Sequence, residues 1–189
     1  IIMLRNPIDR AFSHYLMDYR LGLVSDSFED IIDQKSVHKN TKLFYQQYIE
    51  LSEYYPQVKR YLDVFNEEEI LFIEYEDLKK DVLGVVKKTY LFLGVNQVYE
   101  PDVKKKHNTY TMPKNRIIRF IYSFVILRNI LSFLFPKNIV NRIRAVLFKN
   151  DKKPKLLDKT RNRLKQSFTN DINTLAKMLN KDFSRWKQQ

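Results

Sequence analysis

The pattern of apolar and polar residues divides the chain into two short strands and a larger set of helices. Ile1 to Leu4 and Ile70 to Tyr75 are apolar runs rich in β-forming residues, which is typical of buried strands. Most other segments repeat apolar residues every three or four positions, as amphipathic helices do. The pattern therefore predicts an α/β fold with a small parallel sheet and a helix-rich carboxyl-terminal part.

Proline, glycine and serine indicate where the early helices begin and end. A helix is predicted from Pro7 to about Arg20, with Gly22 as its stop signal. Ser27 begins a capping-box pattern, S-x-x-D, before a short helix. An apolar stripe from Phe44 to Phe65 predicts more helix, which Pro56 is expected to kink or break.

The second half of the chain is predicted to be helical almost throughout. Asp77 is expected to cap a helix after the second strand, and a helix from Val82 to Leu93, with Leu91 and Leu93 facing inward, ends at Gly94. Single helices are predicted over Ile117 to Phe135, from Ile139 onward, and from Thr160 to Trp186.

Composition narrows the class of protein. A chain of 189 residues fits one domain, and the absence of Cys excludes disulfides and thiolate chemistry. The three His residues show no metal-ligand spacing, so no metal site is predicted. The net charge of +12 favours an anionic partner, such as a nucleotide, nucleic acid, a sulfated or phosphorylated acceptor, or an acidic membrane surface.

The first fifteen residues carry the clearest candidate chemistry. Arg5 stands at the end of the first strand, and Ser13 lies on the helix that follows. A guanidinium, a hydroxyl and free N–H groups at a helix start suit a phosphate. In the alternative interpretation Arg5 pairs with Asp9, and Ser13 is an incidental residue on the helix surface.

Residues 5–15 match every fixed position of R-x-P-x-x-R-x-x-S-x-Y, and the segment resembles the signature of sulfotransferases that use 3′-phosphoadenosine 5′-phosphosulfate (PAPS). The resemblance implies that Arg5 and Ser13 hold the 3′-phosphate of the nucleotide. It continues through Tyr75-Glu76-Asp77-Leu78 and covers nearly the whole chain. It implies a three-layer, P-loop-like nucleotide-binding fold and a single sulfotransferase domain over residues 1–189.

Three further residues are assigned to the nucleotide by the resemblance. Tyr45 is the nearest match to a tyrosine that lies near the nucleotide in related enzymes. Lys114 and Arg116 follow a proline in a basic loop, residues 104–116, that helps to close over nucleotide or acceptor in the family. The alternative is that this loop is a solvated run of charge.

The sequence shows neither a loop for the 5′-phosphosulfate nor a catalytic base, and sulfuryl transfer needs both. Related enzymes hold the 5′-phosphosulfate on a glycine- and lysine-rich loop, whereas the three glycines of this chain stand apart at positions 22, 84 and 94. Since the chain opens directly in a core strand without Met, we expect the domain to be incomplete at its amino terminus. The catalytic residues are then expected upstream of Ile1, and the isolated chain is expected to be inactive.

The acceptor is expected to be a hydroxyl group, of a carbohydrate or a glycolipid by resemblance to the family. The main alternative is a basic peripheral-membrane or anion-binding module without catalytic activity, because the stretch 117–148 is apolar and carries scattered arginines. Arg119 and Arg128 need not share a helix face, so they form no single anion clamp.

No helix-turn-helix, RNP or zinc pattern is present, which argues against a nucleic-acid partner. We expect a cytoplasmic protein, and peripheral association with a membrane is an alternative that the sequence permits.

Overall fold

The structure is a computed structural model, which describes residues 1–103, 110–124, 129–130, 133–150 and 153–188. Two short 3-10 helices lie at Glu50–Ser52 and Glu67–Glu69. The other described elements are β1 Ile2–Leu4, α1 Pro7–Leu21, α2 Phe28–Ile32, α3 Thr41–Tyr48, α4 Tyr55–Leu62, β2 Phe72–Glu74, α5 Tyr75–Lys80, α6 Val82–Leu93, β3 Thr111–Pro113, α7 Arg116–Ser123, α8 Lys137–Leu147, β4 Phe148–Asn150, α9 Asp158–Leu179 and α10 Ser184–Gln188.

The chain forms two compact units. The first unit comprises Ile1–Ala11, Ile49–His107 and Asp158–Gln189, and the second comprises Phe12–Tyr48 and Asn108–Leu157. Helix α1 begins in the first unit and continues into the second.

The sheet of the first unit consists of the two predicted strands. β1 and β2 pair in parallel, with Leu4 opposite Glu74 at their carboxyl ends. Leu4, Phe72 and Ile73 are buried, as apolar runs predict for strands covered by helices. The expectation that the whole first run is buried is wrong, because Met3 is 49% exposed. The predicted small parallel sheet is confirmed.

Helices α9 and α10 complete the core of the first unit. Along α9, buried residues recur at three- and four-residue spacings: Leu164, Phe168, Ile172, Leu175 and Leu179. The single helix predicted from Thr160 to Trp186 is wrong, because Asn180 takes a left-handed conformation with φ of 46° and a separate helix begins at Ser184. Trp186 on α10 is fully buried and stacks on Phe183, with 4.2 Å between ring centroids.

Helix α4 takes its cap from a distant residue. The predicted stripe from Phe44 to Phe65 does break, and α4 starts at Tyr55 with Pro56 in its first turn. The carboxylate of Asp171, on α9, accepts hydrogen bonds from the backbone N–H groups of Tyr54 and Tyr55, both at 2.9 Å. These two donors would otherwise lack a partner at the helix start.

The second unit is built around aromatic side chains from α1, α2 and α3. The ring centroids of Tyr15, on α1, and Phe28, on α2, lie 5.2 Å apart. The Tyr48 hydroxyl, on α3, donates to the carboxylate of the buried Asp18 at 2.9 Å. The predicted Ser27 cap is confirmed, because its Oγ accepts from the backbone N–H of Asp30 at 3.0 Å.

A second sheet in this unit was not predicted. β3 and β4 pair antiparallel, with Pro113 opposite Phe148. The interpretation of residues 104–116 as one loop is wrong at Thr111–Pro113, and residues 104–109 lie outside the described part. Strands of three residues are too short to show an alternating pattern, and β3 also contains Pro113, so the sequence carries no strand signal here.

Two predicted details of the later helices are also wrong. Leu91 and Leu93 do not face inward, since they are 68% and 54% exposed. The helix predicted over Ile117 to Phe135 ends at Ser123, because Phe124 is extended, with ψ of 98°. Arg128, considered above as a partner for Arg119, lies outside the described residues. Apolar periodicity identifies a helix face but does not say whether another element covers it.

Candidate functional site

The turn between β1 and α1 is held by Asn6, which is completely buried. Its Oδ1 accepts from the backbone N–H groups of Ile8 at 3.0 Å and Asp9 at 3.4 Å, and so caps α1. Its Nδ2 donates to the carbonyl of Trp186 at 3.1 Å. The expectation of free N–H groups at this helix start is therefore wrong, and an anion here would be bound mainly by side chains.

Arg5 presents a buried hydrogen-bond donor at the end of β1. Its guanidinium lies over the Tyr75 ring, with Cζ 4.8 Å from the ring centroid. In the described part of the chain, the buried Nε of Arg5 has no hydrogen-bond acceptor. A buried N–H without a partner is costly, and an oxyanion would satisfy it.

The contact between Arg5 and Tyr75 follows from the strand register. Leu4 and Glu74 are opposite each other in the parallel pair, so Arg5 and Tyr75 both come one residue later at the same edge of the sheet. The carboxyl ends of parallel strands are where ligands bind in open α/β sheets. The sequence predicts the two strands but not their register, so it did not identify Tyr75 as the partner of Arg5.

Asp9 does not pair with Arg5, contrary to the alternative interpretation of the sequence. Its Oδ1 accepts from Nη2 of Arg161, on α9, at 3.0 Å, and both side chains are roughly one-quarter exposed, at 30% and 26%. The sequence offered no signal for this pair, because 152 positions separate the two residues.

A second arginine of the signature lies beside a half-buried tyrosine in the first unit. Nη1 of Arg10 donates to the hydroxyl of the buried Ser52 at 3.1 Å, and burial lowers the pKa of Arg10. Burial raises the pKa of Tyr54 to about 12, against the opposing effect of the positive charges of Arg10 and Arg5. The phenol of Tyr54 therefore stays neutral at physiological pH.

The acidic residues after β2 are engaged by Arg185 of α10. Arg185 Nε donates to Glu74 Oε2 at 3.1 Å, and Nη1 donates to Asp77 Oδ1 at 3.0 Å. Burial lowers the pKa of Arg185, but the bonds to Asp77 and Glu74 outweigh it and raise the pKa above its usual value. The prediction that Asp77 caps a helix is wrong: α5 has no side-chain cap, and Asp77 lies in its first turn.

In the second unit, Ser13 is paired with a lysine. Ser13 lies on α1, and its Oγ accepts from Nζ of Lys153 at 3.3 Å. The Lys153 ammonium also lies 5.9 Å from the centroid of the Phe12 ring. A hydroxyl and an ammonium in contact suit an oxyanion, because both can donate to it. Sequence reasoning missed Lys153, which stands in a polar stretch without periodicity.

The other three candidates from the sequence are not joined to Ser13. Tyr45 is half-buried on α3, and Lys114 and Arg116 are exposed beside β3 and at the start of α7. The backbone N–H of Lys114 donates to the carbonyl of Leu147 at 3.0 Å. Within the described ranges, no hydrogen bond or ring contact links Tyr45, Lys114 and Arg116 to one another or to Ser13.

Comparison with known proteins decides the family. A model of the sulfotransferase domain matches residues 1–119, which include the signature from Arg5 to Tyr15 and both strands of the parallel sheet. The chain belongs to the sulfotransferase family. No curated protein matches the sequence.

A solved structure supports the same assignment. The crystal structure of a sulfotransferase from Alicyclobacillus acidocaldarius matches with a TM-score of 0.64 and 25% identity. The match covers 98% of this chain and 56% of the other, so the chain spans little more than half the length of that sulfotransferase. The α/β, P-loop-like fold expected from the sequence is confirmed.

The residues of this sulfotransferase chain fit a phosphate better than a metal. In the first unit the buried Nε of Arg5 has no acceptor among the described residues, and in the second unit Ser13 contacts Lys153. Among the residues that the structure describes, no group of three or more His, Asp or Glu side chains is placed to hold a metal ion. The described helices include none with the length and apolar character needed to cross a bilayer.

Proposed function

We propose that this chain binds the 3′-phosphate of PAPS in a protein that transfers a sulfuryl group to a hydroxyl acceptor. Membership of the sulfotransferase family supports the class of reaction. The buried Nε of Arg5, which has no acceptor among the described residues, is the observation that supports a phosphate at the end of β1.

The proposal gives each residue a distinct role. Arg5 binds the phosphate through its guanidinium, whose orientation is set by stacking on Tyr75. By the resemblance of the signature, Ser13 is proposed to donate to the phosphate as well, and Lys153 is in contact with Ser13. Asn6 is a positioning residue, because it fixes the turn that carries Arg5.

PAPS supplies the sulfuryl group and the leaving phosphate. In the transfer, a bond forms between the acceptor oxygen and sulfur while the bond from sulfur to the 5′-phosphate oxygen breaks, and the hydroxyl proton passes to a base. We assign no residue of this chain to that base. The sequence also lacks a glycine- and lysine-rich loop for the 5′-phosphosulfate, so we expect the 189-residue chain to bind nucleotide without turnover.

Calorimetric titration with adenosine 3′,5′-bisphosphate tests the nucleotide site. Charge-assisted hydrogen bonds are worth about 1.5–3 kcal/mol, so Arg5→Ala is expected to weaken binding roughly ten- to a hundredfold. Ser13→Ala is expected to have a smaller effect in the same direction. Arg60→Ala, which removes an exposed arginine of α4, is the matched control and should leave the affinity unchanged.

Titration with adenosine 5′-monophosphate separates recognition from folding. This nucleotide lacks the 3′-phosphate, so Arg5→Ala should change its affinity little. An equal loss for both nucleotides would show that Arg5 supports the fold and does not bind the phosphate.

The acceptor is proposed to be a carbohydrate or glycolipid hydroxyl, on family resemblance. A longer form of the protein that carries a phosphosulfate loop should transfer label from PAPS to soluble oligosaccharides or to lipid-linked ones. Binding of the bisphosphate without transfer to either class would instead favour an anion-binding module that is not an enzyme.

A further inference from the structure

Helix α7, in the second unit, has its apolar face turned outward. Ile117, Phe120 and Ile121 follow one another at the spacing of a helix face, and Phe124 follows directly after the helix. All four are exposed, Ile117 by 70% and Phe120 by 65%. Helices of soluble proteins bury such a face against a core. A contiguous exposed apolar surface usually marks an interaction site.

The opposite side of α7 is the one that packs on the unit. The guanidinium of Arg119 lies 4.2 Å from the centroid of the Tyr19 ring, and the Tyr122 ring lies 4.8 Å from the Phe148 ring. The helix start is fixed by Asn115, whose Oδ1 accepts from the N–H of Ile118 at 2.8 Å. The helix is therefore anchored in an orientation that leaves Ile117, Phe120 and Ile121 exposed.

Helix α8 also carries exposed apolar residues. Ile139, Ile143 and Val146 recur at helical spacing and are all exposed, and Phe133, before α8, is 89% exposed. The antiparallel β3–β4 pair joins the start of α7 to the end of α8. We call the exposed apolar residues of this region the outer surface: Ile117, Phe120, Ile121, Phe124, Phe133, Ile139, Ile143 and Val146.

The same region of sequence contains many basic residues and no acidic ones. From Val103 to Asn150 the chain contains eleven Lys or Arg residues and no Asp or Glu, although it has 22 acidic residues in all. The exposed cations among the described residues of this stretch are Lys114, Arg116, Lys137, Arg142 and Lys149. Such a surface attracts anions and repels a second copy of itself.

We propose that the outer surface binds peripherally to a lipid bilayer that contains anionic headgroups. Exposed aliphatic and phenyl side chains insert at the boundary of headgroups and acyl chains, while lysines and arginines contact the phosphates. A soluble polyanion would use the cations but would leave Phe120 and Phe133 in water. The proposal requires only contact with the bilayer surface, because the apolar residues concerned lie on exposed faces and loops.

This inference does not depend on the proposed nucleotide site. Arg5, Ser13 and Lys153 are not among the residues assigned to the bilayer, and vesicle binding is measured without nucleotide. The two proposals are therefore tested by separate experiments, and a negative result for one does not affect the other.

Co-sedimentation of the 189-residue chain with vesicles tests the proposal. We expect binding to vesicles of phosphatidylcholine mixed with phosphatidylglycerol to exceed binding to phosphatidylcholine alone by about tenfold or more, since each cation near the surface contributes. Raising the salt concentration should weaken the binding without abolishing it, because the apolar part is not screened. Equal binding to both kinds of vesicle, or to neither, would overturn the proposal.

Matched pairs of variants separate the apolar and the charged contributions. Phe120→Ser should reduce binding to the mixed vesicles about tenfold, whereas Leu91→Ser, which removes an exposed leucine of α6 in the first unit, should not. Lys137→Glu should also reduce binding, and Lys88→Glu, an equal change of charge at an exposed position of α6, should reduce it less. All four positions are exposed, and circular dichroism shows whether each variant is folded.

Two alternative ligands of the outer surface would give different binding results. If the surface binds soluble polyanions, heparin should bind as tightly as the mixed vesicles, and Phe120→Ser should leave both affinities unchanged. If it binds a second copy of the chain, sedimentation velocity should show a dimer that Phe120→Ser dissociates. Either result would overturn the proposal.

Discussion

The guanidinium of Arg161, on α9, donates to the carboxylate of Asp9, on α1, with Nη2 and Oδ1 3.0 Å apart. Asp9 is therefore neutralised by a residue from the far end of the chain, and Arg5 keeps its buried Nε without an acceptor in the described part of the structure. A neutralised Asp9 is what an anion site at the start of α1 requires, because an uncompensated carboxylate would repel the anion.

Two substitutions that break this pair should differ in their effect on nucleotide binding. Arg161→Gln leaves a negative charge on Asp9 and is expected to weaken binding of adenosine 3′,5′-bisphosphate about threefold or more, whereas Asp9→Asn leaves none and should not weaken it. Both should lower the free energy of unfolding by up to about 1 kcal/mol, as partly exposed ion pairs do. Titration and thermal unfolding measure the two effects. Equal affinities of the two variants would mean that the pair only stabilises the fold.

Lys153 is predicted to contribute to the same affinity. Its ammonium already contacts Ser13, so Lys153→Ala should weaken binding of the bisphosphate several-fold, up to about tenfold. Lys155→Ala removes an exposed lysine two positions away with the same change of charge and is the control. If the two variants bind equally well at low salt, Lys153 has no specific role.

Gly22 and Gly94 both have positive φ, at 72° and 65°, but only Gly22 has close neighbours. A Cβ at Gly22 would lie 2.7 Å from Cβ of Ser123 and 2.8 Å from the carbonyl oxygen of Arg119, whereas a Cβ at Gly94 would meet nothing within 4 Å. Gly94→Ala should cost about 1 kcal/mol from backbone strain alone. Gly22→Ala should cost about 2–3 kcal/mol, because α7 must also shift. Denaturant unfolding of both variants compares them, and equal losses would contradict the close approach.

The pH dependence of stability should reveal the pair of carboxyl groups near the start of α4. Burial raises the pKa of Glu53, with a further contribution from the charge of Asp171, and burial also raises the pKa of Asp171 against its two backbone hydrogen bonds. A carboxyl whose pKa is higher in the folded state destabilises the fold once it ionises. Its contribution therefore becomes less favourable as the pH rises through the unfolded and then the folded pKa.

Glu53→Gln removes one of these charges and keeps the shape of the side chain. The variant should be more stable than the parent at pH 7 by a few tenths of a kcal/mol, and the difference should shrink as the pH falls below the pKa of Glu53. Thermal unfolding from pH 3 to pH 7 follows this difference. A variant that is less stable at pH 7 would show that Glu53 is stabilised as the anion.

Local patterns in the sequence were sufficient to predict the elements that carry the site. The strands β1 and β2, the start of α1 at Pro7, the Ser27 cap and the break at Pro56 are all confirmed. Each depends on residues within a few positions of one another, through periodicity, capping and the geometry of proline. The signature from Arg5 to Tyr15 indicated the family for the same reason, since its fixed residues lie within three turns of chain.

Only the tertiary structure decided which of these residues meet. The partner of Asp9 is 152 positions away, the partner of Ser13 is 140 positions away, and Asn6 closes on Trp186 at a separation of 180. The outward orientation of α7 was equally beyond the sequence, because periodicity defines an apolar face without saying what covers it. Contacts of this kind depend on how distant elements pack, and no local pattern of residues encodes that packing.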